Sequence, residues 1–269
     1  MKSFFLPFGR DGVDRAPLEA AVLFAKRSGG RVRATFYPRP VESPLVDPMG
    51  VGIIDYADKG PDLAREAEEA LAAMRVRIDA LGENAGLVDL SDEPLRARFG
   101  IGEAARLFDT TVVGKSEETD WRAVFETALF EGGRTVTLVP VGWTRECGRT
   151  VALAWNRSTE TARLIGQALP AIRSAAKAVV IEIEGWSVPG PDGAALAEYL
   201  KMHGVDATVV TGKRSMRGPG MDVLEVAEAE GVDLLVKGAY TQSRLRQMIF
   251  GGATSDIIAD ATMPVIFAH

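Results

Sequence analysis

The chain repeats one pattern of strands and helices in each of its halves, and this repeat limits the fold more than any other feature. An apolar strand opens the first half at Ser3 to Phe8 and another opens the second half at Thr150 to Trp155, each followed by a helical pattern. The halves also close alike: TTVVGK and RTVTLVP in the first correspond to DLLVKG and MPVIFAH in the second. A period of about half the chain is too long for a solenoid and typical of a duplicated domain.

The alternation of strands with helices predicts the fold class. Strands separated by helices of about ten or more residues indicate a parallel sheet that is covered on both faces and joined by right-handed crossovers. With five strands in each half, we predict an α/β chain of two tandem, doubly wound, five-stranded parallel-sheet domains. The boundary falls in the polar segment GWTRECGR, so the predicted domains are residues 1–142 and 149–269. A proline-rich stretch from Pro38 to Ala64 predicts a long ordered loop in the first domain.

Composition excludes several classes of function. A net charge of -6 and a pI near 5.2 argue against a general nucleic-acid binder. No apolar run approaches the roughly 18 residues of a membrane span, and the first residues lack a signal-peptide core, so we expect a cytoplasmic protein without membrane contact. Cys147 is the only cysteine, and His203 and His269 are the only histidines. They leave almost nothing for a disulfide, a metal site or a Ser-His-Asp triad, and we predict neither a metal site nor catalytic residues.

The last quarter of the chain predicts an anion site. The apolar run Val232 to Val236 is typical of a strand buried on both faces, and Gly238 ends it. A helical pattern follows Gly251 and Gly252, and a helix that begins there presents free backbone N–H groups to an anion. The loops after the third and fourth strands of this half carry cations that we expect to converge: Lys213, Arg214, Arg217, Lys237, Arg244 and Arg246.

On these motifs the chain resembles the universal stress protein family in its tandem form. The resemblance is strongest from Thr150 to His269 and in the segment LFEGGRTVTLVP of the first half. It implies domains of the universal stress protein-like, adenine nucleotide alpha hydrolase-like type. Many members bind ATP at the carboxyl ends of the strands, through an acidic residue that ends the first strand and a glycine motif after the fourth. That motif is Gly, two residues, Gly, nine residues, Gly, then Ser or Thr.

Two of the four motif positions match in the second half. The motif begins at Gly238 and reaches Gly251 in register, whereas Thr241 replaces the second glycine and Gly252 stands in the last place. Thr241 is β-branched and disfavours the close phosphate approach that glycine allows, while Gly252 leaves helix N–H groups open. The acidic position holds Asn156. The resemblance therefore implies a nucleotide site formed by Asn156, Ile183, Gly238, Thr241, Ser243, Gly251, Gly252, Ala253 and Thr254.

The first half lacks these features. After Gly114 the sequence KSEETDW has no glycine at the motif spacing and carries three carboxylates. We therefore expect the first domain to be a degenerate copy that binds no nucleotide.

The resemblance implies a non-enzymatic binding or regulatory protein of the stress response, whose second domain binds ATP or another adenine nucleotide with magnesium and hydrolyses it slowly at most. Two alternatives are a weak nucleotide hydrolase or transferase and a partner-binding module with an empty pocket. The apolar closing strands, expected at a sheet edge, are a liability unless they are paired. We expect residues 135–139 to pair with 264–267 inside the chain, which leaves further dimerisation optional.

Overall fold

The computed structural model describes residues 1–10, 15–38, 60–96, 99–117, 120–239 and 252–269. In the first half, the described residues form the strands β1 (Ser3–Phe8), β2 (Arg31–Phe36), β3 (Val88–Leu90), β4 (Thr110–Gly114) and β5 (Thr135–Val139). The helices of this half are α1 (Arg15–Ser28), α2 (Gly60–Asp79), α3 (Phe99–Ala105) and α4 (Trp121–Glu131), with a 3₁₀ helix at Gly82–Leu87. Most of the predicted loop from Pro38 to Ala64 lies outside the described residues.

The second half has the same order of elements. Its strands are β6 (Thr150–Ala154), β7 (Lys177–Ile183), β8 (Ala207–Gly212), β9 (Leu234–Gly238) and β10 (Val265–Ala268). Its described helices are α5 (Thr159–Arg173), α6 (Gly193–Met202), α7 (Pro219–Ala229) and α8 (Ala253–Asp260). In the part of the chain that the structure describes, no helix is long and apolar enough to cross a membrane.

All ten strands lie in one sheet, in the order β3-β2-β1-β4-β5-β10-β9-β6-β7-β8. Neighbouring strands are parallel throughout each half, and among the described strands the single antiparallel pair joins β5 to β10. Each half therefore runs third, second, first, fourth and fifth strand from its outer edge to the middle. The predicted α/β class with doubly wound, five-stranded halves is confirmed.

Two helical layers cover the sheet. Helices α1, α2, α5 and α6 contribute to the apolar cluster on one face, and α3, α4, α7 and α8 to the cluster on the other. Along β9, Val236 belongs to the first cluster and Leu235 to the second, because successive strand residues point to opposite faces. Burial on both faces explains why the strands read as nearly continuous apolar runs.

The two halves join through the strands that close them. Val265, Ile266 and Phe267 pair with Leu138, Thr137 and Val136, in agreement with the intrachain pairing expected from the sequence. Each closing strand is the edge strand of its own half, as expected, and the mutual pairing places both in the middle of the ten-stranded sheet. The edges of the ten-stranded sheet are β3 and β8.

The structure corrects the start of β9, which lies two residues later than the predicted strand Val232 to Val236. Gly231 has a φ of 65°, and the backbone N–H of Val232 donates to the carbonyl of Ala227 at 2.9 Å. These contacts close the carboxyl end of α7 in a Schellman-type turn. Val232 is buried as part of that helix end rather than as a strand residue.

Candidate functional site

The second half has a topological switch point between β6 and β9. Strand β6 pairs with β7 on one side and with β9 on the other, while α5 and α8 cover opposite faces of the sheet. Parallel α/β sheets bind ligands in the crevice that such a divergence opens at the carboxyl ends of the strands. Asn156 follows β6 at this edge and Gly238 ends β9, so the structure brings these two predicted residues to the same crevice.

The side-chain oxygen of Asn156 is used inside the protein. Its Oδ1 accepts from the backbone N–H of Ser158 at 3.2 Å and from Oγ1 of Thr161 at 2.8 Å. Asn156 is only 6 % exposed. The side-chain carbonyl of Asn156 thus stabilises the start of α5. The expected contact between Asn156 and a ligand stays a prediction, and its amide nitrogen is the group that would make this contact.

Gly238 has a packing role that requires no ligand. A Cβ at this position would lie 2.6 Å from Oγ1 of Thr161 and 3.1 Å from the backbone Cα and N of the same residue. The absence of a side chain therefore lets the first turn of α5 rest directly on the end of β9. Gly114 does the same in the first half, where a Cβ would lie 2.7 Å from Cγ of Pro17 in α1.

The loop after Asn156 carries an ion pair that no sequence pattern predicts. Arg157 has a φ of 66°, a left-handed conformation that is uncommon outside glycine. Its Nε and Nη2 both lie 3.0 Å from Oε1 of the buried Glu182, and Glu182 also accepts from the backbone N–H of Gly193 at 2.9 Å. Glu182 thereby fixes both the Arg157 turn and the start of α6.

Ile183, predicted to line a base pocket, lies at the carboxyl end of β7 and is 1 % exposed. Its Cδ1 lies 2.7 Å from where a Cβ on Gly212 would stand, so the side chain packs over β8 on the α7 and α8 face. Its contact with a base stays a prediction.

Lys237 lies elsewhere than its sequence context predicts. It lies within β9 rather than in the loop after it, and it is 3 % exposed. Its Nζ donates to the carbonyl of Gly238 and lies 5.4 Å from the centre of the Trp186 ring. Burial lowers the pKa of Lys237 to about 8. The alternation of side chains along a strand predicts this burial, because Lys237 lies on the same face of β9 as the buried Leu235.

Helix α8 begins at the predicted glycine pair. Gly252 is its N-cap, with extended backbone, an exposed position and no side-chain cap hydrogen bond. Ala253 and Thr254 form its first turn, and Thr254 is buried. Thr241, Ser243 and Gly251 of the predicted site, together with the cations Arg244 and Arg246, lie outside the described residues.

The start of α8 packs against the start of α7. A Cβ on Gly220 would lie 2.6 Å from the carbonyl oxygen of Ala253 and 2.8 Å from a carboxylate oxygen of Asp256. Burial raises the pKa of Asp256, and the nearby charge of Asp260 adds to this effect. The close contact between the helices leaves room only for glycine at position 220.

The other predicted cations do not all converge on the crevice. Arg217 forms an ion pair with Glu225 of α7, and Nη1 of Arg214 donates to the carbonyl of Gly185 at 3.1 Å. Lys213 is exposed. Of the cations that the structure describes, Lys237 is the one held at the end of β9. Among the described residues, no group of three or more His, Cys, Asp or Glu side chains could hold a metal ion.

Comparison with known proteins supports the same fold and family. The family model described as "Universal stress protein family" matches residues 113–269, which is more than half of the chain. A universal stress protein of Methanocaldococcus jannaschii is 29% identical over 48 residues, a match that spans 18% of this chain and 30% of that relative.

Solved structures extend the likeness of the fold to the whole chain. A universal stress protein from Archaeoglobus fulgidus covers 99% of this chain, with 95% of its own chain aligned, at 16% identity and a TM-score of 0.73. A universal stress protein solved in complex with cAMP aligns 96% of its chain with 45% of this one, at 22% identity and a TM-score of 0.37. The family match, on a fold that these repeated halves build, shows that the chain belongs to the universal stress protein family.

Proposed function

We propose that this protein is a non-enzymatic binding protein of the stress response whose second half binds ATP or another adenine nucleotide at the carboxyl ends of β6 and β9. The observation that carries the proposal is the start of α8. In the described part of the chain no side chain caps this helix at Gly252, so its first N–H groups can bind a phosphate at the edge where the switch point lies. By contrast, α5 is capped by Ser158, whose side chain accepts from the backbone N–H of Thr161.

The described residues fit a nucleotide better than they fit a metal ion held by the protein alone. An open helix start suits phosphate oxygens. Magnesium would arrive with the nucleotide and be coordinated largely by its phosphates and water. Any hydrolysis of the bound nucleotide would then depend on positioning alone.

The substitution Gly252→Asp tests the proposal with little risk to the fold. A Cβ at Gly252 meets nothing within 4 Å, and the extended backbone accepts any residue. An aspartate there caps α8 but repels a phosphate, whereas Gly252→Asn caps the helix without a charge. We expect calorimetry with Mg-ATP to show binding weakened about tenfold or more by Gly252→Asp, since a charged hydrogen bond contributes about 1.5–3 kcal/mol. The Asn control should bind more tightly than the Asp variant.

Nucleotide binding at α8 is excluded if the wild-type protein gives no heat with millimolar Mg-ATP. It is also excluded if Gly252→Asp and Gly252→Asn bind Mg-ATP with equal affinity.

A second candidate function is a partner-binding module with an empty pocket. It is favoured by the internal use of the Asn156 oxygen and by the packing of Gly238 against Thr161, because both residues then have structural roles that need no ligand. Native mass spectrometry of the purified protein separates the two functions: a nucleotide that co-purifies with the chain excludes the empty pocket.

A further inference from the structure

The internal repeat shows that the fold does not require a lysine at position 237. Gly114 and Gly238 end equivalent strands, and each packs against the third residue of the helix that follows the first strand of its half. The residue before Gly114 is Val113, which is 4 % exposed, and the residue before Gly238 is Lys237, which is 3 % exposed. The same buried place in the same architecture therefore takes an apolar side chain in one half and a cation in the other.

Burying a cation without a counter-charge costs stability, so its presence calls for a reason. In the described part of the chain, the Nζ of Lys237 contacts the carbonyl of Gly238 and the face of Trp186, and no ion pair links it to a carboxylate. An ammonium group has three N–H donors, of which one hydrogen bond to Gly238 uses one. Lys237 thus retains both charge and hydrogen-bonding capacity.

The ammonium lies at the ligand-binding edge of the sheet. Gly238 is the last residue of β9, and Trp186 follows the carboxyl end of β7 by three residues. Lys237 also points to the sheet face that α8 covers, because it shares the alternation of Leu235. An anion bound at the start of α8 would enter from the same edge and on the same face.

We propose that Lys237 binds a phosphate group of the ligand in the second half, and that its charge makes this half selective for phosphorylated nucleosides over free nucleosides. The inference rests on the proposed nucleotide site and adds to it the group that recognises the phosphate. Val113 at the equivalent position gives the first half no such group.

The test compares Lys237→Met with a control that removes the same charge elsewhere. Lys177→Met is the control. Lys177 is the first residue of β7, at the sheet edge opposite to the carboxyl ends of the strands, and it forms an ion pair of 2.8 Å with Glu230 near the surface. Calorimetry is run with ATP, adenosine and inorganic pyrophosphate. We expect Lys237→Met to weaken ATP and pyrophosphate binding about 10- to 100-fold, as for the loss of a hydrogen bond to a charged group. Adenosine binding should change by less than about twofold, as should all three ligands in Lys177→Met.

A stability readout separates a ligand-binding lysine from one that holds the fold together. Without ligand, Lys237→Met should raise the Tm by about 2 °C or more, because the buried charge is removed. A lysine that acts only through structure would lower the Tm when it is removed. If the Met variant fails to fold, Lys237→Gln, which keeps a polar head group, replaces it in the titrations.

Unchanged ATP binding in the Lys237 variants overturns the inference and leaves the nucleotide site standing. If the wild-type protein binds neither ATP nor adenosine, the proposed nucleotide function fails, and pyrophosphate then decides the role of Lys237. Pyrophosphate binding that disappears in Lys237→Met supports a phosphate site. No pyrophosphate binding by the wild-type protein overturns it.

Discussion

Gly238 and Gly114 have the same packing role in the two halves of the chain. Each glycine lets the first turn of a helix approach the end of a strand within the distance that a methyl group would occupy. In the second half the same approach brings α5 to the edge of the crevice. A glycine motif in this fold is therefore partly a packing motif, and its presence alone is weak evidence for a nucleotide.

Gly238→Ala should lower the free energy of unfolding by about 1–3 kcal/mol, because the new methyl group would lie 2.6 Å from Oγ1 of Thr161. Gly166→Ala in α5 is the matched control. A Cβ at Gly166 meets nothing within 4 Å, so this change should raise stability by about 0.5–1 kcal/mol through helix propensity. Urea unfolding without nucleotide measures both effects. An unchanged free energy of unfolding in Gly238→Ala would show that the close packing of β9 on α5 does not require glycine.

Two aspartates repeat one structural role across the halves. Asp109 precedes β4 and accepts from the backbone N–H groups of Lys2 and Ser3, the latter at 3.0 Å. Asp233 precedes β9 and accepts from the backbone N–H groups of Gly148 at 2.8 Å and Thr150 at 3.0 Å. Each carboxylate ties the start of its fourth strand to the start of its first.

Asp109 makes a defined part of the stability depend on pH. Burial alone would raise the pKa of Asp109, but the hydrogen bonds from Lys2 and Ser3 outweigh it and lower the pKa below its ordinary value of 3.8. The folded pKa thus lies below the unfolded one, so this stabilisation is complete above the unfolded pKa and is lost as the pH falls through the folded pKa.

We therefore expect the stability difference between wild type and Asp109→Asn to shrink when the pH is lowered from about 6 to about 2. Denaturant titrations across this range measure it. Asp62→Asn, which alters an exposed carboxylate, is the control measured in parallel. A constant difference for Asp109→Asn would contradict the assignment.

Helix α5 illustrates how an element is fixed at its first turn. Ser158 is its N-cap, and the Ser158 side chain contacts both the backbone N–H of Thr161 at 3.3 Å and the Thr161 hydroxyl at 3.0 Å. The Thr161 hydroxyl in turn donates to Oδ1 of Asn156 at 2.8 Å. This small network holds the turn that Gly238 packs against.

Ser158→Ala should therefore destabilise the protein by about 1 kcal/mol, a usual cost for the loss of an N-cap. Ser174→Ala makes the same change at the other end of α5, where the exposed hydroxyl donates to the carbonyl of Ala171 at 2.7 Å, and should cost about 0.5 kcal/mol or less. Thermal unfolding of the two variants compares them. Equal losses would mean that the cap contributes no more than a surface hydroxyl.

Elements were easier to predict from the sequence than the contacts between them. Apolar runs and helical periodicity identified the α/β class and the pairing of the closing strands, because both depend on burial that the residue types reveal. The start of β9 was misplaced because a buried Val232 looks the same in a strand and in a helix-ending turn. Lys237 was assigned to a loop because lysine is usually exposed, and the use of the Asn156 oxygen depends on a helix start that residue types alone do not position.

The molecule as a whole is organised around the pairing of β5 with β10. This pair turns two five-stranded sheets into one and covers two apolar strands that would otherwise be edges. Phe125 of α4 packs edge-on against Phe267 of β10, with ring centres 5.4 Å apart, so a helix of the first half also contacts the second. Lys115 adds a polar link by donating to the carbonyl of Ala259 at 2.7 Å.

Separating the halves should therefore expose β10 and cause association. We expect a fragment of residues 143–269 to form homodimers or larger species at micromolar concentration, because its last strand is apolar and has lost its partner. Light scattering after gel filtration measures this. Addition of the fragment of residues 1–142 should replace the homodimer with a heterodimer. A fragment that stays monomeric would show that β10 is protected in another way.

Cys147 makes the opening of the segment between the two halves measurable by thiol labelling. The only thiol of the chain lies in the segment between the halves, is 2 % exposed, and has a pKa that burial raises well above its usual value. Arg27 of α1 holds the same segment by donating to the Cys147 carbonyl at 2.6 Å. A thiol reagent can react only after the segment has opened, since a buried, protonated thiol is inert. The rate of labelling therefore measures how often this segment opens, without any engineered probe.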